Sequence, residues 1–95
     1  MAAYVITSIT VHDPEGYKEY ARGTPGSLEP FGGRFLVRGG QTEVREGDWE
    51  FERLVVVEFR DMDLARAWYE SEEYQRLKVI RERHSSAEMV FVEGV

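Results

Sequence analysis

Arg34 and Arg38 stand at the two ends of the apolar stretch RFLVR, and a pair of glycines brackets that stretch on each side. Residues four apart in a strand project to the same face, so the two guanidinium groups are predicted to lie on the same face of the sheet. Two such groups could hold a carboxylate or a phosphate through paired hydrogen bonds. The structural alternative is that each arginine pairs with Glu58 or Glu93, or protects an edge strand.

The flanking glycines are not predicted to form a phosphate loop. Neither GxGxxG nor GxxxxGK[ST] occurs, and the segment leads into more extended sequence rather than a helix. Gly32 and Gly33 are interpreted as a helix stop. Gly39 and Gly40 are interpreted as a bulge in a strand that begins with RFLVR and resumes in QTEVRE.

His12 is the natural candidate for a general base, because it ends the first predicted strand, where a cleft could form. The alternative interpretation is a solvated loop histidine. His84, in RERHSS, is predicted to be exposed. Isolated histidines without HxH or HExxH spacing, in a chain with no cysteine, predict no metal site and no thiolate chemistry, and no cofactor is expected.

Aromatic residues follow the predicted helical stripes. Tyr17 and Tyr20 lie on one stripe, and Trp68 and Tyr74 on another. Together they could line a pocket between helices and sheet for a flat hydrophobic compound. The alternative interpretation is that they form part of an ordinary buried core.

The elements that must position these residues begin with a strand from about Ala3 to Val11. Asp13 and Pro14 suit the N-cap and the first position of a helix. The sequence GTPG, residues 23–26, is expected to interrupt that helix.

The second half of the chain contains its clearest strand, RLVVVEF, at residues 53–59. Asp61 or Asp63 is predicted to cap a long helical segment that breaks at Ser71. The final segment, SSAEMVFVEGV, is predicted to be a strand.

This order is βαββαβ, which predicts an α+β, ferredoxin-like fold. The expected sheet has four antiparallel strands in the order 4-1-3-2, with the helices on one face. Residues 1–95 are predicted to form a single domain, since a chain of 95 residues has no room for a second.

Alternation within the strands assigns residues to the two faces of this sheet. Residues expected to meet the helices are Val5, Ile9, Val11, Phe35, Val37, Val55, Val57, Phe59, Val90 and Val92. Residues expected on the open face are Tyr4, Ile6, Ser8, Thr10, Arg34, Leu36, Arg38, Leu54, Val56, Glu58, Met89, Phe91 and Glu93.

The open face would carry too many large apolar groups to remain in water. A second copy of the same sheet, laid face to face, would cover them and form a two-fold symmetric barrel. We therefore expect a homodimer, in which charged pairs on this face fix the register.

The net charge of -6 argues against a nucleic-acid partner or an anionic membrane surface. No apolar run approaches the roughly 20 residues that span a bilayer. The first residues, MAAYVITSITV, alternate like a strand and lack a basic leader, so a cytoplasmic location is expected.

The chain resembles the domain-of-unknown-function 1330 family of small bacterial proteins in DPEGYKEY, GGRFLVRGG, EGDW, RLVVVEF, AWYESEEYQRLK and the terminal VEG. That family belongs to the dimeric α/β-barrel superfamily, so the resemblance implies a ferredoxin-like fold and a barrel-forming homodimer. It supplies no reaction, although other superfamily members include cofactor-independent monooxygenases, haem-degrading enzymes and muconolactone-isomerase-like proteins. Family members tend to continue the first helix where this chain reads ARGTPGSLEPF, so a shorter or broken helix is expected here.

Two functions therefore stay open at the level of sequence. The first is an uncharacterised homodimeric barrel domain that binds a small hydrophobic or anionic ligand. The alternative is a cofactor-independent monooxygenase or isomerase acting on a small aromatic or quinone-like substrate, with His12 as base and Arg38 stabilising developing negative charge. The ligand-binding candidates are Arg34, Arg38, Glu58, Trp68 and Glu93.

Overall fold

Four strands and three helices alternate along the chain in the computed structural model, which describes residues 1–95. A single turn of 3-10 helix, Glu29–Phe31, follows the first helix. The elements are β1 (Ala3–Val11), α1 (Pro14–Leu28), β2 (Arg34–Arg38), β3 (Arg53–Phe59), α2 (Met62–Glu70), α3 (Glu72–His84) and β4 (Ser85–Glu93).

The strands form one antiparallel sheet in the order β2-β3-β1-β4, which confirms the predicted topology. At the centre of the sheet, Ile6 of β1 lies between Val56 of β3 and Val90 of β4. All three helices belong to the ferredoxin-like α+β arrangement, and they cover one face of the sheet while the other face stays open.

The helix starts follow from local capping chemistry. The carboxylate of Asp13 accepts a hydrogen bond from the Gly16 backbone N–H, and that of Asp61 accepts one from Leu64. Ser71 ends α2 and begins α3, because its hydroxyl accepts from the Tyr74 N–H while its extended backbone separates the helices. The predicted break at Ser71 is confirmed.

The predicted interruption of the first helix at residues 23–26 is wrong, since α1 continues through Pro25 to Leu28. Proline has no N–H, so it leaves the carbonyl of Ala21, four residues earlier, without its helical partner. Arg38 of β2 fills this gap by donating from Nη2 to the Ala21 carbonyl oxygen at 2.6 Å. Gly23 lets α3 approach closely, because a Cβ there would lie 2.5 Å from Leu77 Cδ2.

The core lies between the sheet and the helices, and strict alternation along β1 places every second side chain in it. The buried apolar residues are Ala3, Val5, Ile9, Tyr17, Tyr20, Leu28, Val57, Phe59, Ala65, Trp68, Tyr74 and Leu77. The helix-facing assignment of β1 and β3 is therefore confirmed.

The predicted faces of β4 are wrong. Met89 and Phe91 pair opposite Thr7 and Val5 of β1 and pack against the core. Val90 and Val92 point to the open face and are 57% and 44% exposed. Glu93 follows the parity of Met89 rather than lying on the open face as predicted, because it pairs opposite the buried Ala3.

The predicted path of β2 is also wrong. The bulge lies at Leu36, where the register with β3 shifts, and residues 39–52 form a loop rather than a resumed strand. The extra residue inverts the side-chain parity beyond it. Arg34, before the bulge, faces the open side opposite Glu58 as predicted. Arg38, beyond the bulge, consequently faces the helices opposite Val55.

None of the three helices has both the length and the apolar character needed to cross a bilayer.

Candidate ligand-binding site

The two arginines of RFLVR have separate roles. Arg34 Nε lies 2.7 Å from the Glu58 carboxylate and forms an ion pair on the open face, as the structural alternative proposed. Glu93, the other expected partner, is exposed at the end of β4 and forms no ion pair. Arg34, Glu58 and Glu93 therefore do not combine with Arg38 into one site.

Arg38 instead lies at a cleft between α1 and the sheet that encloses about 30 Å³. Its guanidinium carbon is 4.3 Å from the centroid of the Phe35 ring, so it covers that ring as well as holding the Ala21 carbonyl. The cleft is lined by Val5, Thr7, Ile9, Tyr17, Tyr20, Ala21, Thr24, Phe35, Arg38, Arg53, Val55, Val57, Trp68 and Met89.

A second cation, Arg53, lines the same cleft and was not identified from the sequence. It pairs opposite Ile9 on the helix side of β3, and its guanidinium lies 5.7 Å from the Tyr17 ring centroid. Its Nε is buried and has no hydrogen-bond partner. The signal was present, because Arg53 has the same strand parity as Val55 and Val57, which the sequence placed on the helix side.

Arg81 adds a third cation near this aromatic group. It is only 6% exposed, its guanidinium lies 6.0 Å from the Tyr20 ring centroid, and its Nε has no hydrogen-bond partner. Arg38, Arg53 and Arg81 therefore come from three different elements and approach the tyrosines of α1 together.

Tyr17 lies within the electrostatic influence of all three guanidinium groups. Burial raises the pKa of its phenol, and the positive charges of Arg53, Arg81 and Arg38 oppose that increase. The phenol therefore keeps its proton at neutral pH and can donate a hydrogen bond into the cleft.

Trp68 was predicted to line a pocket, and it does so while serving as a core residue. Its indole Nε1 donates to Ser27 Oγ at 3.1 Å, which satisfies the only polar group of the buried ring. Its ring centroid is 4.0 Å from that of Tyr74 and 5.5 Å from that of Phe59. Its hydrogen-bonding capacity is therefore already used within the protein.

The two histidines lie away from the lining of the cleft. His12 Nε2 is 2.7 Å from Ser86 Oγ at an exposed position, and His84 Nδ1 is 3.2 Å from the Asp13 carboxylate. The backbone carbonyl of His84 accepts hydrogen bonds from the N–H groups of His12 and Asp13. His84 was expected to be exposed, but its side chain is 26% exposed and packs over Gly16.

The chemistry available in the cleft is binding chemistry. Its walls are aliphatic and aromatic, its two charged groups are guanidinium groups, and no carboxylate or histidine lines it. No group of three or more histidine, aspartate and glutamate side chains is arranged to hold a metal ion. The cleft therefore presents hydrogen-bond donors and positive charge to an otherwise apolar ligand.

Fold and cleft together define a ferredoxin-like domain with a small site between the first helix and the sheet. Residues 2–95 match the profile of the domain of unknown function DUF1330, and the chain belongs to that family. Among curated proteins, none matches this chain.

Solved structures share the fold at low sequence identity. The protein RPA0582 of unknown function from Rhodopseudomonas palustris is 14% identical, with a TM-score of 0.75 over 99% of this chain and 82% of that one. A dimeric ferredoxin-like protein of unknown function from Jannaschia sp. CCS1 is also 14% identical, with a TM-score of 0.76 over 99% and 100% of the two chains. SnoaB, a cofactor-independent oxygenase from Streptomyces nogalater, is 15% identical, with a TM-score of 0.69 over 99% and 93%.

Proposed function

We propose that this protein is a homodimeric binding domain whose cleft between α1 and the sheet holds a small hydrophobic or anionic molecule. The observation that carries this proposal is the composition of the cleft, which combines apolar walls with two guanidinium groups and no carboxylate. Small-molecule sites in proteins are typically concave and mainly apolar, with a few polar groups that orient the ligand.

The volume of the cleft sets a condition on binding. About 30 Å³ holds a few water molecules at most, so a ring-sized ligand has to widen the cleft. Arg38 is the wall best suited to move, because it is exposed, lies on the edge strand and is fastened to α1 through the Ala21 carbonyl. A second concave region adjoins the Arg38–Ala21 hydrogen bond and is lined by Lys18, Ala21, Arg22, Pro25 and Arg38.

Thermal denaturation with a panel of small aromatic acids, amides and quinones tests this proposal. A ligand that binds only the folded protein raises the midpoint of unfolding as its concentration increases. Val55→Phe, which fills the cleft, is expected to abolish that increase, whereas Val79→Phe, on the exposed side of α3, should preserve it. If no compound raises the midpoint of the wild-type protein, the binding proposal is wrong.

The homodimer is the second part of the proposal, and the open face of the sheet supports it. Ile6, Val56, Val90 and Val92 form its apolar centre, and the neighbouring Arg34–Glu58 pair supplies charge at the edge. The molecule measures 31 × 30 × 16 Å, so its broad face is comparable with the roughly 800 Å² per partner of a standard interface. The similar Jannaschia protein is described as dimeric.

The alternative function, a cofactor-independent monooxygenase or isomerase, is favoured by the shared fold with SnoaB. It requires a base, and His12 does not line the cleft, while the Tyr17 phenol has a raised pKa that opposes loss of its proton. Oxygen uptake with every compound that binds would detect this activity. Turnover that persists in both His12→Ala and Arg38→Ala would exclude the roles assigned to those residues.

A further inference from the structure

The three arginines of β2 and β3 differ in the hydrogen-bond acceptors that the folded chain provides for them. Arg34 is paired with Glu58 on the other face, and Arg38 is held by the carbonyl that Pro25 leaves free. Arg53 takes part in no ion pair, and its buried Nε has no hydrogen-bond partner. Arg53 is therefore the cation lining the cleft for which the folded chain provides no acceptor.

The Arg53 side chain is half-buried, and its buried Nε–H without an acceptor carries a desolvation cost that a hydrogen-bond partner would offset. This chain contains 18 acidic residues, yet none lines the cleft. Arg53 therefore lacks a carboxylate partner because of where the acidic residues lie in the fold, and not because the chain has few of them. A ligand that brings its own anion would remove the cost.

The surroundings of Arg53 indicate the shape of that ligand. Gly39 leaves room for the guanidinium, because a Cβ there would lie 2.7 Å from Arg53 Nη2. The Tyr17 ring lies 5.7 Å away on the helix side, and Phe35 and Val55 form nearby apolar walls. These walls would enclose a flat ring once the cleft has widened. A carboxylate is the anion whose two oxygens match the fork of a guanidinium group.

We infer that the cleft binds an aromatic monocarboxylate, with Arg53 holding the carboxylate and the Tyr17 hydroxyl donating a further hydrogen bond to it. This inference rests on the proposed binding function and names the chemical class of its ligand. Binding would free Arg38 from Ala21 as the cleft widens, and Arg53 would gain the acceptor that the chain does not supply.

Calorimetric titration of the full-length protein with matched acids and amides tests the inference. The probes are benzoate against benzamide and 2-naphthoate against 2-naphthamide, which differ in charge but little in shape. The wild-type protein is expected to prefer the acids by at least about tenfold, the effect of a hydrogen-bonded charge. Arg53→Gln should bring this preference close to unity, and Tyr17→Phe should reduce it in part.

Two further variants keep the outcome unambiguous. Arg66→Gln, on the outer side of α2, removes a charge of the same type and should leave the preference unchanged. Arg53→Lys keeps the charge without the planar fork, so it should fold as the wild type and retain only part of the preference, even if Arg53→Gln is unstable.

The possible failures are distinguishable. Equal affinity for acid and amide in the wild-type protein would overturn the carboxylate inference and leave the binding function intact. A preference that survives both Arg53 substitutions would overturn the assignment to Arg53. Binding of neither acids nor amides, nor of any other compound in the panel, would overturn the proposed function itself.

Discussion

At the scale of single residues, Gly39 and Arg53 depend on each other. Gly39 has a backbone φ of 73°, in the left-handed region that glycine adopts at little cost, and its N–H donates to the Leu54 carbonyl at 2.9 Å. The missing side chain also leaves the space that the Arg53 guanidinium occupies. Gly39 therefore both ends β2 and leaves room for the Arg53 guanidinium at the cleft.

Gly39→Ala is expected to lower the free energy of unfolding by about 1–2 kcal/mol, because alanine is strained at positive φ and its Cβ meets Arg53. Gly40→Ala is the matched control, since nothing lies within 4 Å of the Cβ it would add. That control should be neutral or slightly stabilising through the unfolded chain. Urea denaturation measures both, and equal effects of the two substitutions would contradict the argument.

The sequence identified part of this site and missed the rest for physical reasons. Arg38 was a candidate from its residue type. The face of the sheet predicted for it was wrong, because nothing in RFLVR marks Leu36 as a bulge. The glycines that usually mark bulges follow the strand instead. Arg53 was predictable from strand parity, whereas its lack of a partner depends on tertiary structure.

At the scale of elements, two tyrosines join α1 to α3. The hydroxyl groups of Tyr20 and Tyr74 are 2.9 Å apart and buried, and their rings pack edge to face at 6.2 Å. Burial raises the pKa of both phenols above the ordinary 10.0, and for Tyr20 the neighbouring Tyr74 raises it further. The contact between α1 and α3 therefore consists of two phenols that both keep their protons in the folded protein.

This contact predicts unfolding in alkali. Below pH 10.0 the folded and unfolded states bind the same phenol protons, whereas above it the unfolded chain releases them first. The free energy of unfolding should then fall by up to about 1.4 kcal/mol per pH unit for each tyrosine. Denaturation at several alkaline pH values measures this slope, which the Tyr20→Phe/Tyr74→Phe double variant should reduce; an equal slope in both proteins would refute the assignment.

Elements with local signals were the most predictable. Asp13, Asp61 and Ser71 cap helices through side-chain bonds that span only three residues, so the sequence alone indicates them. The continuity of α1 through Pro25 could not be predicted, because the compensating donor comes from Arg38 on another element.

The faces of β4 were unpredictable for a different reason. Met89 and Phe91 alternate with Val90 and Val92, so both sides of the strand are apolar and hydrophobicity does not distinguish them. The register of β4 against β1 determines that Met89 and Phe91, rather than Val90 and Val92, face the helices.

At the scale of the whole molecule, the sheet has one face closed by helices and one face without cover. A domain of 95 residues buries a limited share of its surface, so an apolar open face is costly for a monomer. A two-fold symmetric contact would cover the face of both copies at once.

Val90→Lys is expected to weaken the proposed dimer by at least about a hundredfold, because each symmetric contact would bury two unpaired ammonium groups. Val79→Lys is the control, since Val79 is 48% exposed on α3 and Val90 is 57% exposed on the open face. Sedimentation velocity over a range of concentrations measures the mass of each protein. A wild-type monomer at every concentration, or a Val90→Lys dimer as tight as the wild type, would refute the face-to-face arrangement.

The two tryptophans report on different parts of this architecture. Trp68 is 2% exposed at the wall of the cleft, whereas Trp49 is 65% exposed in the loop of residues 39–52 and contacts Phe51 edge to face. Their fluorescence therefore separates by environment, with the indole in the core emitting to the blue of the indole in water. The chain thus carries two intrinsic fluorescent probes, one for occupancy of its interior and one for the solvent exposure of its loop.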